Sequence, residues 1–120
     1  MGSYKDLLAY RKSYDLAMQI FLISKKFPQE ERFSLTDQVR RSSRSVCTNL
    51  VEAYKRRRYK SYFINKLNDA ETENAETQVW LDFCQDCKYI TIEEYTAFVA
   101  LNNEVAKLIW YMINNPDKFS

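Results

Sequence analysis

The sequence of 120 residues has no histidine, one glycine and two prolines. Hairpins, bulges and phosphate-binding loops depend on glycine, so its near absence argues against strand-rich and nucleotide-loop folds. The absence of histidine removes the commonest general base and the commonest metal ligand. No apolar run approaches the roughly 20 residues of a membrane span, and no signal peptide is recognisable. These absences predict an all-α protein that is neither an enzyme nor embedded in a membrane.

Only three cysteines are present. An odd number without a secretory signal indicates reduced thiols in the cytoplasm. Cys84 and Cys87 have the spacing of a redox or metal pair, but they lack a second ligand pair, so we expect small buried hydrophobes. Three carboxylates evoke a di-iron bundle, whose Glu-x-x-His motif requires the missing histidine; they are Glu71, Glu73 and Glu76. We therefore expect no metal, cofactor or small-molecule substrate.

The length and composition predict one domain over residues 1–120. Hydrophobic residues make up 46% of the chain and aromatic residues 15%, which excludes disorder. The net charge is +2, but residues 1–60 carry 14 basic and 6 acidic residues, whereas residues 61–120 carry 4 and 10. This asymmetry predicts either a polyanionic partner or basic and acidic faces that meet each other.

Hydrophobic periodicity predicts an antiparallel up-and-down four-helix bundle. The predicted helices span about residues 4–26, 35–57, 59–87 and 92–113. Pro28 ends the first helix, and two N-terminal capping boxes are predicted, Ser34 with Asp37 and Thr91 with Glu94.

The predicted core combines bulky and small side chains. The first helix is expected to bury one seam, formed by Leu7, Tyr10, Tyr14, Ala17, Phe21 and Ser24. The second is expected to bury Leu35, Val39, Ser42, Val46, Leu50 and Ala53, within an arc of roughly 80°. The middle of the third turns only Ala70, Asn74 and Thr77 inward, so it must pack against the small residues of the second helix.

Basic residues form a stripe almost opposite the buried side of the second helix. Five of them fall within an arc of roughly 100° and extend over about 27 Å, namely Arg40, Arg41, Arg44, Lys55 and Arg58. Such a stripe can follow a nucleic-acid backbone, with Tyr54, Tyr59 and Tyr62 placed to stack on unpaired bases. The alternative is a solvated helix face that pairs with acids of a neighbouring subunit.

The fourth helix is apolar over roughly 200°, about twice the width that a surface helix needs. Its core residues are predicted to be Phe98, Leu101, Val105, Leu108, Ile109 and Met112. A second flank consists of Tyr95, Val99, Ala106 and Trp110, which we expect to form a self-association interface. The alternative is that bulky aromatics of a compact bundle cover both flanks.

The segment "LTDQVRRSSRSVCTNLVEA" (residues 35–53) resembles the four-helix bundle proteins encoded by intervening sequences in bacterial large-subunit ribosomal RNA genes. The preceding "FP" (residues 27–28), Glu31 and the later "ETQVWLDF" and "KYITIEEY" fit the same pattern. Ala53 and Lys55 depart from it, because the family usually has a glycine pair there. A glycine-serine step that is usual in the third helix is also absent.

The resemblance implies an up-and-down bundle that assembles into a ring, with a pentamer favoured. It also implies kinship with accessory proteins of diversity-generating retroelements, which bind RNA and a reverse transcriptase through basic surfaces. We therefore expect a cytoplasmic RNA-binding homo-oligomer, with ribosomal RNA as the candidate ligand. The expected phosphate contacts are Arg40, Arg41, Arg44, Lys55, Arg56, Arg57, Arg58 and Lys60, and the expected stacking residues are Tyr59 and Tyr62. The alternative is a structural or adaptor protein whose basic and acidic faces mediate self-assembly and bind a protein partner.

Overall fold

A computed structural model of the protein describes residues 2–120, which fold into four helices and short 3₁₀ turns without a strand. The helices are α1 (Leu8–Ser24), α2 (Leu35–Lys55), α3 (Lys60–Asp86) and α4 (Ile92–Asn114). Consecutive helices pack against each other, and α4 closes the bundle against α1. The described part measures 44 × 25 × 21 Å. The prediction of an all-α up-and-down four-helix bundle is confirmed.

Three predicted helix boundaries are wrong by a few residues, since the first helix also ends at Ser24 rather than 26. The first helix does not begin at residue 4, because Ser3 and Asp6 form a capping box around a separate 3₁₀ turn. Leu7 is then extended (φ −68°, ψ 123°) and buried in the core at 2% exposure. The second helix ends at Lys55 rather than 57, and a turn leads into α3.

The predicted seam of α1 is partly wrong. Tyr14 is 52% exposed, and Tyr10 and Phe21 are only half-buried. The residues that α1 buries are Ala9, Ser13, Leu16, Ala17, Ile20 and Ser24. Because α1 carries apolar residues on two sides, the three- and four-residue spacing of these residues does not decide which side is buried. Ser13 and Ser24 face inward without cost, since each hydroxyl donates to a backbone carbonyl one turn earlier, at 2.9 and 3.0 Å.

Glu31, rather than the predicted capping box of Ser34 and Asp37, organises the start of α2. The Ser34 side chain makes no cap hydrogen bond; its hydroxyl donates to the Glu31 carboxylate at 2.6 Å. The same carboxylate accepts from Tyr89 at 2.9 Å and from the Leu35 amide at 3.4 Å. These donors, Ser34 first, lower the pKa of Glu31, and the shared bond raises the pKa of Tyr89 to about 12. One carboxylate therefore joins the α1–α2 connection to the end of α3.

The interface between α2 and α3 is the most extensive in the bundle, and its predicted inward residues are all buried. Small side chains let the two backbones approach closely. Polar groups at this interface are satisfied locally: the Thr77 hydroxyl lies 2.9 Å from the Ser42 hydroxyl and 2.9 Å from the Glu73 carbonyl. The structure confirms the prediction that the small inward residues of α2 pack against those of α3.

The buried face of α4 contains a polar pair that the sequence did not reveal. Asn74 of α3 donates its amide to the Asn102 side-chain oxygen at 2.8 Å, and Asn102 donates to the Asn74 carbonyl at 3.1 Å. Both side chains are buried. The predicted capping box of Thr91 and Glu94 is confirmed at the start of this helix.

Replacing Asn102 by alanine lowers the free energy of unfolding by about 1–3 kcal/mol, because the Asn74 amide is then buried without its acceptor. Chemical denaturation measures the change. Asn103→Ala is the matched control, since that neighbour is exposed and surface changes stay within about 0.5 kcal/mol. Equal effects of the two substitutions would show that the pair contributes nothing to stability.

Within residues 2–120, no helix has the length and apolar character that crossing a membrane requires.

Candidate nucleic-acid interface

The predicted basic stripe falls into two clusters, because residues 45–54 of α2 contain no Lys or Arg, and α2 ends at Lys55, before the remaining basic residues. The first, here the α2 cluster, comprises Arg40, Arg41 and Arg44. The second, here the turn cluster, comprises Lys55, Arg56, Arg57, Arg58, Tyr59, Lys60 and Tyr62. About 16 Å of helix axis separates Arg44 from Lys55. The predicted contact residues are thus grouped around two centres; Arg44 and Lys55 lie on the same side of α2, and only the residues after Lys55 leave that line.

In the turn cluster, two cations lie against two exposed aromatic rings. The Arg56 guanidinium carbon lies 5.0 Å from the centre of the Tyr62 ring, and that of Arg58 lies 5.3 Å from the Tyr59 ring. Tyr59 is 53% exposed and Tyr62 is 50% exposed. Each pair offers a planar cation beside a ring face, which suits both phosphate and an unstacked base.

Two other cations of the turn cluster are engaged within the chain. Arg57 donates to the Tyr54 carbonyl at 2.9 Å, and its guanidinium carbon lies 3.9 Å from the Tyr54 ring centre. An arginine on the last carbonyls of a helix stabilises its C-terminus. Lys60 pairs with Asp117 at 3.0 Å, at an exposed position. Tyr54 itself is buried, so the expectation that it stacks on bases is wrong.

The surface of the turn cluster is concave on two sides. One cavity of about 480 Å³ is lined by Arg56, Tyr59, Lys60, Ser61 and Tyr62. A second, of about 320 Å³, is lined by Lys55, Arg57, Arg58 and Ser120. No carboxylate side chain lines either cavity in the described part of the chain.

The α2 cluster is held more tightly by its own chain. Arg40 is half-buried and donates its Nε to the Ser24 hydroxyl at 2.7 Å. Its guanidinium carbon and that of Arg44 lie 4.9 and 5.4 Å from the centre of the Phe21 ring. Arg41 pairs with Asp37 at 3.8 Å. These contacts leave Arg41 and Arg44 exposed but restrict Arg40.

An apolar cavity of about 320 Å³ lies between the two clusters, where α1 meets α2. Its lining includes Arg44 of the α2 cluster together with Tyr10, Tyr14, Met18, Cys47 and Val51. Beyond Arg44, a nucleic-acid backbone that followed the predicted stripe would meet no further basic residue of α2 until Lys55, about 16 Å along the helix axis. The turn cluster is the stronger candidate interface, because its cations, aromatic rings and cavities are contiguous.

The predicted interface flank of α4 is partly exposed. Trp110 is 62% exposed, whereas Tyr95, Val99 and Ala106 are half-buried. The Tyr95 hydroxyl donates to Asp82 of α3 at 2.6 Å, so this residue also serves its own bundle.

A second exposed apolar surface lies on α1, and the sequence argument missed it. It consists of Leu8, Tyr14, Met18 and Leu22, which are exposed on the side opposite the buried face. The width of the apolar band, which identified the α4 flank, would also have identified this one. Val79 and Phe83 of α3 are exposed as well.

Cys47 and Cys84 are buried, as expected for small hydrophobes, whereas Cys87 is exposed, so the expectation that it is buried is wrong. Burial, and then the neighbouring Cys87, raises the pKa of Cys84 to about 12, and burial raises the pKa of Cys47. Burial and then Glu76 raise the pKa of Glu73. Among residues 2–120, no group of three histidine, cysteine or acidic side chains is arranged to hold a metal ion.

Comparison with known proteins places this arrangement in context. A family model described as 23S rRNA-intervening sequence protein matches residues 5–111. A crystal structure of a protein of unknown function from the S23 ribosomal protein family of Bacteroides thetaiotaomicron is similar, with a TM-score of 0.81 and 33% sequence identity. The match covers 92% of this chain and 98% of the other. No curated protein matches the chain.

Proposed function

The chain belongs to the 23S rRNA-intervening sequence protein family, and from this premise we propose that it is a non-catalytic RNA-binding protein. In this proposal the turn cluster contacts single-stranded RNA, with ribosomal RNA as the candidate. The cations neutralise phosphates and the two exposed tyrosines stack on unpaired bases.

The observation that carries this proposal is the pairing of Arg56 with Tyr62 and of Arg58 with Tyr59 on an exposed turn. Neither arginine pairs with a carboxylate side chain within residues 2–120. A solvated helix face would more often balance its charges with neighbouring acids, as Arg41 does with Asp37. Exposed aromatic rings also favour contact with bases over simple charge attraction.

The other predicted contacts take secondary parts in the proposal. The Lys60 ammonium group already pairs with the Asp117 carboxylate, so it must exchange this partner to contact a phosphate. Arg57 supports the end of α2. Arg41 and Arg44 are exposed, and they add attraction only within the screening distance of about 8–10 Å. The expected footprint is therefore three to four phosphates per protomer, centred on Lys55, Arg56, Arg58 and Lys60.

A salt titration of the affinity for a single-stranded ribosomal RNA fragment tests the proposal. In a plot of the logarithm of the association constant against the logarithm of the salt concentration, each neutralised phosphate contributes a slope of about −0.7. Three to four phosphates should therefore give a slope of about −2 to −3 per protomer. The affinity then falls about 20- to 50-fold between 50 and 200 mM salt. Fluorescence anisotropy with a labelled oligonucleotide measures both quantities. Undetectable binding at low salt, or a slope near zero, contradicts the proposal.

We also propose that the protein self-associates through two different apolar surfaces, the α1 surface and the α4 flank. The supporting observation is that both carry exposed large side chains, including Tyr14 at 52% and Trp110 at 62%. Unlike surfaces that contact each other in adjacent copies generate a closed ring when the rotation closes. A pentamer is the state that the family resemblance favours.

A further inference from the structure

A second cationic site lies outside the turn cluster, in the corner where the end of α1 meets the start of α2. A cavity of about 280 Å³ occupies this corner, here the corner cavity. Its polar lining consists of Ser24, Lys25, Gln29, Arg32, Thr36 and Arg40. Three of these residues are cationic, and no acidic side chain lines the cavity in the described part of the chain.

Arg40 is fixed in the corner cavity before any ligand arrives. Its Nε donates to the Ser24 hydroxyl at 2.7 Å, and its guanidinium packs on the Phe21 ring. Ser24 is its only hydrogen-bond partner among residues 2–120. The N–H groups on Nη1 and Nη2 thus remain for a ligand, and their planar geometry matches two oxygens of a phosphate. Lys25 packs on the same ring at 4.9 Å, so two cations are gathered without a counter-charge.

Thr36 supplies an independent sign of a missing partner. The residue is 6% exposed and lines the corner cavity, yet its buried hydroxyl has no hydrogen-bond partner among the described residues. A buried hydroxyl without a partner destabilises a fold unless a ligand or water satisfies it. Thr36 is the second residue of α2, whose Ncap residue Ser34 makes no side-chain cap hydrogen bond. The Glu31 carboxylate reaches only the Leu35 amide, at 3.4 Å, so other amides of this anion-favouring amino end remain without a side-chain partner within residues 2–120.

Two of the three acids nearest in sequence are already paired. Asp37 pairs with Arg41 at 3.8 Å, and Glu31 accepts hydrogen bonds from Ser34, Tyr89 and the Leu35 amide. Glu30 is exposed and does not line the corner cavity. The corner cavity therefore combines a net positive charge, an oriented guanidinium and an unpartnered hydroxyl. A phosphate group satisfies all three, because it is anionic and accepts several hydrogen bonds from different directions.

We propose that the corner cavity binds one phosphate group, either as a small free phosphate or as the terminal phosphate of an RNA. Arg40 grips two of its oxygens, the Thr36 hydroxyl donates to a third once its buried side chain has rotated toward the cavity, and Lys25 and Arg32 add charge. This site is separate from the turn cluster. It binds a single phosphate and does not follow a backbone.

Inorganic phosphate is the first probe, titrated at constant ionic strength with chloride as the balancing anion. The amide of Thr36 and the Nε of Arg40 should shift in nitrogen-proton NMR spectra, and the melting temperature should rise with phosphate. Arg40→Gln should weaken phosphate binding roughly 10- to 100-fold, and Thr36→Val about two- to tenfold. Thr36→Val should also melt higher than the wild type without phosphate, since it removes the unsatisfied hydroxyl.

Arg11→Gln is the matched control, because this exposed residue of α1 lies about 20 Å from Ser24 along the helix axis. It should leave phosphate binding unchanged. A phosphate response equal to that of chloride overturns the proposal, as does unaltered phosphate binding by both Thr36→Val and Arg40→Gln.

Oligonucleotides with a 5′-phosphate or a 5′-hydroxyl then separate the two sources. Tighter binding of the phosphorylated form, lost in Arg40→Gln and reduced in Thr36→Val, identifies the RNA terminus. Equal binding of both forms, with inorganic phosphate still bound, identifies a free phosphate. Replacing Lys55, Arg56 and Arg58 by glutamine should lower RNA affinity about 100-fold and leave the affinity for inorganic phosphate unchanged, so a failure of one site is distinguishable from a failure of the other.

Discussion

Joint replacement of Lys55, Arg56 and Arg58 by glutamine is expected to lower the affinity for single-stranded RNA about 100-fold at 0.1 M salt. The three residues are exposed, and none is paired with a carboxylate side chain among residues 2–120. Loss of three phosphate contacts, each contributing a slope of about 0.7, also makes the salt dependence shallower by about 2. Anisotropy titrations at several salt concentrations measure both changes.

The matched control replaces Lys5, Arg11 and Lys107 by glutamine, which removes the same charge from other exposed positions. We expect this control to lose less than a few-fold of the affinity, through long-range attraction alone. Similar losses in the two triple variants would mean that overall charge, rather than the turn cluster, attracts RNA. An unfolded variant is recognised by its circular dichroism spectrum.

Tyr14→Glu and Trp110→Glu should each prevent ring formation, because each buries an unpaired carboxylate in a subunit contact. When the two variants are mixed, we expect them to form a heterodimer and no larger assembly. In that heterodimer the intact α4 flank of the Tyr14 variant meets the intact α1 surface of the Trp110 variant. The two altered surfaces remain outside and cannot close a ring. Light scattering of the separate and mixed variants measures the subunit number.

Ala100→Glu serves as the control, because this exposed residue of α4 lies away from both the core and the flank. It should assemble like the wild type. If the Tyr14 variant alone still forms dimers, the α4 flank pairs with itself and the two-surface proposal is wrong. Unchanged assembly in both variants would place the subunit contact elsewhere.

The fold was largely predictable because α2 and α3 leave little freedom. The small inward residues of each helix require the other, and periodicity alone places Leu50 in the core, where it is fully buried. The face of α1 was not predictable in the same way, since bulky residues occupy both of its sides and spacing cannot rank them. Leu7 was expected inside a continuous helix, although the Ser3–Asp6 pattern that separates it is visible in the sequence.

The candidate site was only partly predictable for a related reason. Helical geometry placed Arg40 and Arg58 on one side of a rod, but the helix ends before Arg58. Sequence could not show that Arg40 bonds to Ser24, which lies 16 residues earlier. It also could not show that Thr36 lacks a partner, because such a deficit depends on every neighbour in space. Contacts between distant segments define the corner cavity, whereas the turn cluster depends on where α2 ends.

The mutual amide bonds of Asn74 and Asn102 have a consequence for how the chain selects its native arrangement. A slip of α4 by one turn, about 5.4 Å along α3, would leave both amides facing hydrocarbon. An all-aliphatic seam would tolerate that displacement and several others, with little difference among them. The asparagines thus act chiefly by raising the free energy of misaligned packings of α3 and α4, which leaves the native alignment of these two helices strongly favoured.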